Sequence, residues 1–354
     1  MSEKRYQVGA AIAEGVGYTI VENASLEGRN TFRVPARASL LIDVRRADAL
    51  GELFGYAMLK SQPVLVLGEG SNILFTRDWP GVVLSIAALG IRELGDDGEC
   101  TRIRVEAGEN WNDFVRWSLA RGYCGLENLV LIPGTVGAAP IQNIGAYGVE
   151  VGGFISEVEA WDRQSGQLVR LDRAQCAFAY RDSVFKHAPD RYIVTAVGFA
   201  LPRRRDLQID YAGVREELAA LGVAAPNAPA VAEAIARIRT RKLPNPALLG
   251  NAGSFFKNPL VERGLADSLR QSHPQMPAWD GTGPLVKLSA AWLIESCGFK
   301  GLRQGDAAVS EQHALVLVNL GQATGMEIWS LAERIRAEVS SRFGVLLEAE
   351  PRIL

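Results

Sequence analysis

The sequence has little of what usually anchors a metal ion or a disulfide framework. Its 354 residues hold four cysteines, Cys100, Cys124, Cys176 and Cys297, far apart and without a CxxC pair. That pattern speaks against both a disulfide scaffold and a structural zinc site. Only three histidines are present, His187, His273 and His313, so no metal site is expected. No apolar run approaches the ~18 residues of a membrane span. The N-terminal MSEKRYQVGAAIAEGVGYTIVEN has a short apolar stretch broken by Glu14, and no secretory signal is expected from it. Nor does either charge dominate: 38 Lys and Arg face 40 Asp and Glu, a formal net charge of −2. This balance offers no global field for nucleic acid, although a local cationic pocket is compatible with it. The expectation is a soluble, cytoplasmic protein that binds neither nucleic acid nor membrane.

What is present is an ordinary globular composition, 48% hydrophobic and 22% charged, which rules out bulk disorder. At about 150 residues per domain, the length suggests two domains or three. Residues 1–29 show no clear period and read as an N-terminal extension. Residues 39–44 alternate as a strand does. Asp48 is placed to cap a helix with Leu50, Leu53, Phe54, Ala57 and Met58 on one face, and 63–68 is a buried strand. A strand at 101–106 runs into a helix striped by Trp111, Phe114, Val115 and Leu119 that stops at Gly122. Trp111 and Trp117 read as packing residues. Strands follow at 155–162 and 192–201, and the arginines 203–205 read as a solvated link at a domain boundary. Helices at 229–241, 288–297 and 324–343, a strand at 313–319 and a closing strand at 345–354 complete the chain. Helix and strand mix throughout, so the fold class is α/β or α+β.

Glycine carries the strongest local signal. Its 36 residues are roughly a tenth of the chain against an average of about 7%, and they cluster in short segments. GEGSNI has glycines at 68 and 70, but Ile73 stands where GxGxxG needs its third glycine, so this is not a Rossmann fingerprint. No GxxxxGK[ST] loop exists either. What remains are glycine turns bearing Ser, Asn and Thr at 68–72, 134–138 and 145–148. Such turns let backbone N–H groups approach a pyrophosphate, because glycine has no Cβ to hold it away. Singly each is a tight turn. Three of them, two inside the patternless stretch 125–153, favour a large phosphate-bearing ligand.

Three polar residues outside those turns invite a catalytic reading. Arg181 sits in YRDS between apolar flanks, where a lone arginine needs a partner such as Asp182. Ser254 lies in GNAGSFFKN, where a serine can also simply satisfy a turn. Glu350 stands two residues from Glu348 near the C-terminus, and an exposed edge strand would explain both acids. GxSxG is absent and the histidines lie in no hydrolase context.

These segments resemble a known family. GEGSN (68–72), AGENW (107–111), GLENLVLIPGTVGAAPIQNIGAYGVE (125–150), YRDSVFK (180–186), RKLPNP (241–246), GNAGSFFKNP (250–259) and LEAEPRIL (347–354) are similar, in order, to the UDP-N-acetylenolpyruvoylglucosamine reductase (MurB) family of peptidoglycan synthesis. The likeness runs from about residue 30 to the end. It implies an α+β FAD-binding fold of the vanillyl-alcohol-oxidase (PCMH) type. Two FAD-binding subdomains at 30–203, split near 90, are joined by a substrate-binding α+β domain at 204–344 and a strand at 345–354 that returns to the active site.

By the same resemblance, a non-covalent FAD is cradled by Gly68, Glu69, Gly70, Ser71 and Asn72, and by Pro133, Gly134, Thr135, Val136, Gly137, Asn143, Gly145, Ala146 and Tyr147. NADPH is the implied co-substrate and the enolpyruvyl UDP-sugar the substrate, in a monomer. Hydride passes from flavin N5 to C3 of the enol ether, and a proton reaches C2 from Ser254. Arg181 and Glu350 complete the implied catalytic set. IDYAGV places Tyr211 as the substrate tyrosine of the type with a tyrosine loop. Arg239 and Lys242 are implied at the diphosphate, with Asn258 and Lys287 beside it; a solvated basic face is the other reading of these cations. The alternative is another flavin oxidase or dehydrogenase of this fold acting on a small alcohol or sugar. Its relatives often bind FAD through a histidine, and no histidine lies in the glycine segments. A binding protein that had lost its chemistry would lack Arg181, Ser254 and Glu350.

Overall fold

The computed structural model describes residues 11–281 and 283–354. They form two compact units. The first takes in the described residues up to Ala24 with Ala38–Glu69 and Pro80–Arg239; the second combines Ser25–Arg37, Gly70–Trp79 and Thr240–Leu354.

The first unit is built on two five-stranded sheets. One runs in the order Ala11–Gly15, Tyr18–Ser25, Arg37–Val44, Trp79–Ile86, Val64–Val66. The other is antiparallel, in the order Gln167–Asp172, Ile155–Asp162, Tyr192–Pro202, Cys100–Glu106, Ile91–Asp96. Two strands therefore lie where the sequence shows only a patternless extension; residues 1–10 of that extension fall outside the described residues. The single helix expected after Asp48 is two short ones, Ala49–Leu53 and Ala57–Ser61. Asp48 does not cap it, because its carboxylate is paired with Arg46. The helix Trp111–Ala120 forms as its stripe requires: Trp111, Phe114 and Val115 are buried in one aromatic core with Phe199.

The units do not part at the expected 203–204. The helix Ala228–Lys242 buries Val231, Ala234, Ile235 and Ile238 in the same hydrophobic cluster as the first unit's sheets, so the division falls after Arg239. Apolar burial of this kind outweighs the arginine run as a boundary signal.

In the second unit, Gly250–Ser254, Val316–Asn319, Ala307–Val309 and Arg303–Gln304 form a four-stranded antiparallel sheet. Leu260–Glu262, Leu285–Leu288 and Ala278–Asp280 make a second sheet of three strands. The helix Gly325–Phe343 is fixed by its ends and its stripe. Thr324 and Glu327 close a capping box, and Ile328, Leu331, Ala332, Ile335 and Val339 are buried along one face. The expected closing strand shrinks to Arg352–Ile353, paired in parallel with Ile73–Leu74.

Candidate functional site

In the first unit the strand Val64–Val66 leads to the turn at Gly68 and Glu69. A Cβ on Gly68 would stand 2.9 Å from Thr135 Oγ1, so the turn lies against 133–138 as closely as only glycine allows. Glu69 pins the two segments: its carboxylate accepts from Asn110 Nδ2 at 2.7 Å and from Gly134 N at 3.0 Å. Burial raises the Glu69 pKa, although both hydrogen bonds oppose the shift. Asn110 is not among the residues the sequence singles out, yet its place just before the Trp111 stripe marks it as a cap. Its Oδ1 accepts from Asp113 N at 3.0 Å.

Not every expected cofactor residue points outward. Val136 is fully buried and donates its N–H to Glu109 O at 2.8 Å, while Gly137 donates to Ala107 O at 2.9 Å. Asn143 is buried with its side chain engaged on all sides. Its Nδ2 donates to Glu150 Oε2 at 2.8 Å and Ala179 O at 2.9 Å, and its Oδ1 accepts from Gly152 N at 2.8 Å. Its N–H donates to Pro140 O at 3.3 Å, so only its carbonyl is left for the implied cofactor role. The N–H groups of Gly68, Glu69 and Thr135, by contrast, meet no protein acceptor among the described residues. Amides of this kind around a glycine turn suit phosphate oxygens. Half-buried Ile132, Ile141, Ile144, Ala146 and Tyr147 offer apolar surface to a ring system in the same unit. The residues fit a dinucleotide such as FAD.

Arg181 is brought to Gly145. Its Nη2 donates to Gly145 O at 2.7 Å, and its guanidinium lies 5.3 Å from the centroid of the Tyr180 ring. Its φ of +54° is a left-handed conformation uncommon outside glycine. Asp182, the neighbouring acid, pairs with His187 Nε2 at 2.7 Å. Tyr147 and Tyr211 also come together, edge to face, with centroids 5.2 Å apart. Half-buried Arg239 donates to Leu131 O at 3.3 Å. Burial raises the Tyr147 phenol pKa, against the pull of the Arg239 charge, and lowers that of Arg239 itself.

In the second unit the strand Gly250–Ser254 changes register between Asn251 and Ser254. Gly253 sits in the slip at φ +70°, and a Cβ there would meet nothing within 4 Å, so conformation rather than space calls for glycine. Ser254 follows, half-buried, and its hydroxyl makes no hydrogen bond to protein among the described residues. The C-terminal segment comes alongside. Phe256 bridges Ala349, Glu350 N donates to Phe255 O at 2.8 Å, and Lys257 N donates to Glu348 O at 3.0 Å. Asn72 fastens the same segment, its Nδ2 donating to Glu350 O at 3.4 Å and its carbonyl accepting from Arg352 N at 3.0 Å. Gly70, before it, is buried and Ser71 half-buried. Ser254 and Glu350 thus share one corner.

The remaining residues are placed more loosely. Lys242 is exposed, and its charge joins burial and Lys300 in lowering the pKa of His313. Asn258 Oδ1 accepts from Ala290 N at 3.0 Å, at the start of the helix Ala290–Ser296. Lys287 lies across the strand pair from Leu260, with its ammonium 5.8 Å from the Trp279 ring centroid.

Comparison with known proteins covers both units. Residues 38–172 match the FAD binding domain, and residues 245–354 match the C-terminal domain of UDP-N-acetylenolpyruvoylglucosamine reductase. The chain is 52% identical over 339 residues to the UDP-N-acetylenolpyruvoylglucosamine reductase of Xanthomonas euvesicatoria pv. vesicatoria, spanning 96% of this chain and 97% of that one. To the enzyme of the same name from Xanthomonas oryzae pv. oryzae it is 51% identical over 340 residues, with the same coverage. The crystal structure of UDP-N-acetylenolpyruvylglucosamine reductase (MurB) from Thermus caldophilus matches with a TM-score of 0.64 at 25% identity, covering 95% of this chain and 98% of that one. The fold is the α+β FAD-binding fold that the family resemblance implies. Relatives half identical along almost their whole length settle the remaining question: the chain belongs to the UDP-N-acetylenolpyruvoylglucosamine reductase family.

Proposed function

We propose that this chain reduces UDP-N-acetylglucosamine enolpyruvate to UDP-N-acetylmuramate for peptidoglycan synthesis, with FAD as cofactor and NADPH as co-substrate, acting as a cytoplasmic monomer. The observation that carries this reading is the 52% identity over 96% of the chain to a reductase of that name. When bound, FAD supplies the transfer of a hydride from NADPH to C3 of the enolpyruvyl group.

The protein's own residues do the rest. Gly68, Glu69 and Thr135 would donate N–H groups to phosphate oxygens, with 133–137 and 145–147 of the same unit shaping the cradle; Gly70, Ser71 and Asn72 take their cofactor role from the family resemblance. Negative charge develops at C2 and on the adjoining carboxylate. Arg181, planar and permanently charged, neutralises that carboxylate. Ser254 gives its Oγ proton to C2; with no protein acceptor for the hydroxyl, that hydrogen stays available. Glu350, in its protonated form, hydrogen-bonds the same developing charge. Tyr211 is the substrate tyrosine, and Arg239 and Lys242 neutralise the diphosphate, with Asn258 and Lys287 in lesser parts. The segment 345–354 returns Glu350 to Ser254. Among the described residues no helix is long and apolar enough to cross a membrane.

The test is NADPH consumption with and without the enolpyruvyl sugar nucleotide. Oxidation should depend on that compound beyond slow leakage to oxygen. Turnover with a small alcohol or sugar instead would favour the oxidase alternative.

A further inference from the structure

Asn128 lies on the short turn Glu127–Leu129 and is wholly buried. A buried amide has two hydrogens and one oxygen to satisfy, and each one left over costs stability. Asn128 satisfies only the hydrogens: Nδ2 donates to Tyr147 O at 2.9 Å and to Gln208 O at 2.8 Å. Its Oδ1 is buried without a partner. Turning the amide over would aim that oxygen at two carbonyl oxygens, so the two donations fix its orientation.

What those donations join is specific. Tyr147 is held at φ +49°, a conformation unfavourable for a side chain of its size. Gln208 stands three residues before Tyr211. The Gln208 side chain lies against Gly148, where a Cβ would come within 3.2 Å of Cγ and Nε2. From these two segments Tyr147 and Tyr211 project to their edge-to-face contact at 5.2 Å. One buried amide therefore ties together the backbones that carry both rings.

We propose that Asn128 is a positioning residue for the sugar-nucleotide substrate, holding the Tyr147–Tyr211 pair in place without touching the substrate itself. The proposal rests on the reading that Tyr211 binds that substrate. Asn128→Asp keeps the shape but sets a carboxylate oxygen against the two carbonyls. Asn128→Ser keeps one donor on a shorter side chain.

Both variants, Tyr211→Phe and the double variant Asn128→Asp/Tyr211→Phe are to be compared as FAD-loaded enzymes. Losing two buried donors should raise KM for the enolpyruvyl sugar nucleotide about tenfold in Asn128→Asp, and less in Asn128→Ser. Anaerobic flavin reduction by NADPH should change by less than about twofold, since uniform binding of the other substrate is untouched. In the double variant the two effects should not add, because both act through one ring pair. An unchanged KM, an equal loss in the NADPH step, additive effects, or loss of flavin from both Asn128 variants would each overturn the proposal. Tyr211→Phe separates the two levels. If it leaves KM in place, the reading of Tyr211 fails and takes the proposal with it. If it raises KM while Asn128→Asp does not, the proposal alone fails.

Discussion

The loop 125–153 of the first unit and the Ser254 corner of the second are both irregular, yet they treat polar side chains in opposite ways. In the loop, Asn128 and Asn143 are buried and donate to backbone carbonyls, and Glu69 reaches in to accept from Gly134. At the corner, backbone hydrogen bonds and the exposed Lys257–Glu348 ion pair join 255–257 to 348–350, and the Ser254 hydroxyl takes no protein partner among the described residues. A polar group already satisfied by the protein sets shape. One left open and half-buried is available to a ligand.

The comparison breaks most visibly at Ser254. Ser254→Ala should slow oxidation of the reduced enzyme by the sugar nucleotide by about 10²–10⁴, with flavin reduction by NADPH nearly intact and little loss of stability. Stopped-flow measurement of the two half-reactions checks this; equal losses would remove the acid assignment.

Asn143→Ala should do the reverse. It strands the buried N–H of Gly152 and removes the donor to half-buried Glu150 and to exposed Ala179, and an orphaned buried group costs about 1–3 kcal/mol. Urea unfolding should show a loss of about 3 kcal/mol overall; a loss near zero would show that the loop does not depend on this residue.

Two glutamates sharpen the corner. Glu348 is 73% exposed and paired with Lys257, an arrangement worth only about 0–1 kcal/mol, so Glu348→Gln should leave turnover almost unchanged. Glu350→Ala, which removes the donor outright, should lower it about 100-fold, the usual effect of removing a group aimed at developing charge. Similar turnover in the two variants would sink the role given to Glu350.

The smallest effect belongs to Glu69. Burial raises its pKa in the folded chain, so the folded state keeps the proton to higher pH than the unfolded chain does. Its contribution then favours folding below the unfolded pKa and is lost as pH climbs through the folded one. The unfolding free energy of the wild type minus that of Glu69→Gln should decline as pH rises out of the acid range. A flat or rising difference would contradict the assignment.

Much of this was legible in the sequence where a periodic or conformational demand is local. Thr324 and its apolar stripe announce the helix Gly325–Phe343, and the glycine excess announces tight turns such as the approach of Gly68 to Thr135. Legibility ended where distant parts decide. Nothing in residues 11–25 shows the two strands: Ala11–Gly15 pairs with Tyr18–Ser25, and the pair joins the sheet only through distant Arg37–Val44. The helix after Asp48 breaks at 54–56 despite its apolar face, and Arg46 takes the carboxylate meant for its cap. Asn128 sits in an apolar run, LENLVL, where one buried amide is a signal, but its partners at 147 and 208 appear only in the fold.

One experiment tests the central claim most directly. The FAD-loaded protein is reduced with one equivalent of NADPH without oxygen, and UDP-N-acetylglucosamine enolpyruvate is added. Prompt return of the oxidised flavin spectrum with formation of UDP-N-acetylmuramate is the expected result. Flavin that stays reduced until air is admitted would contradict it.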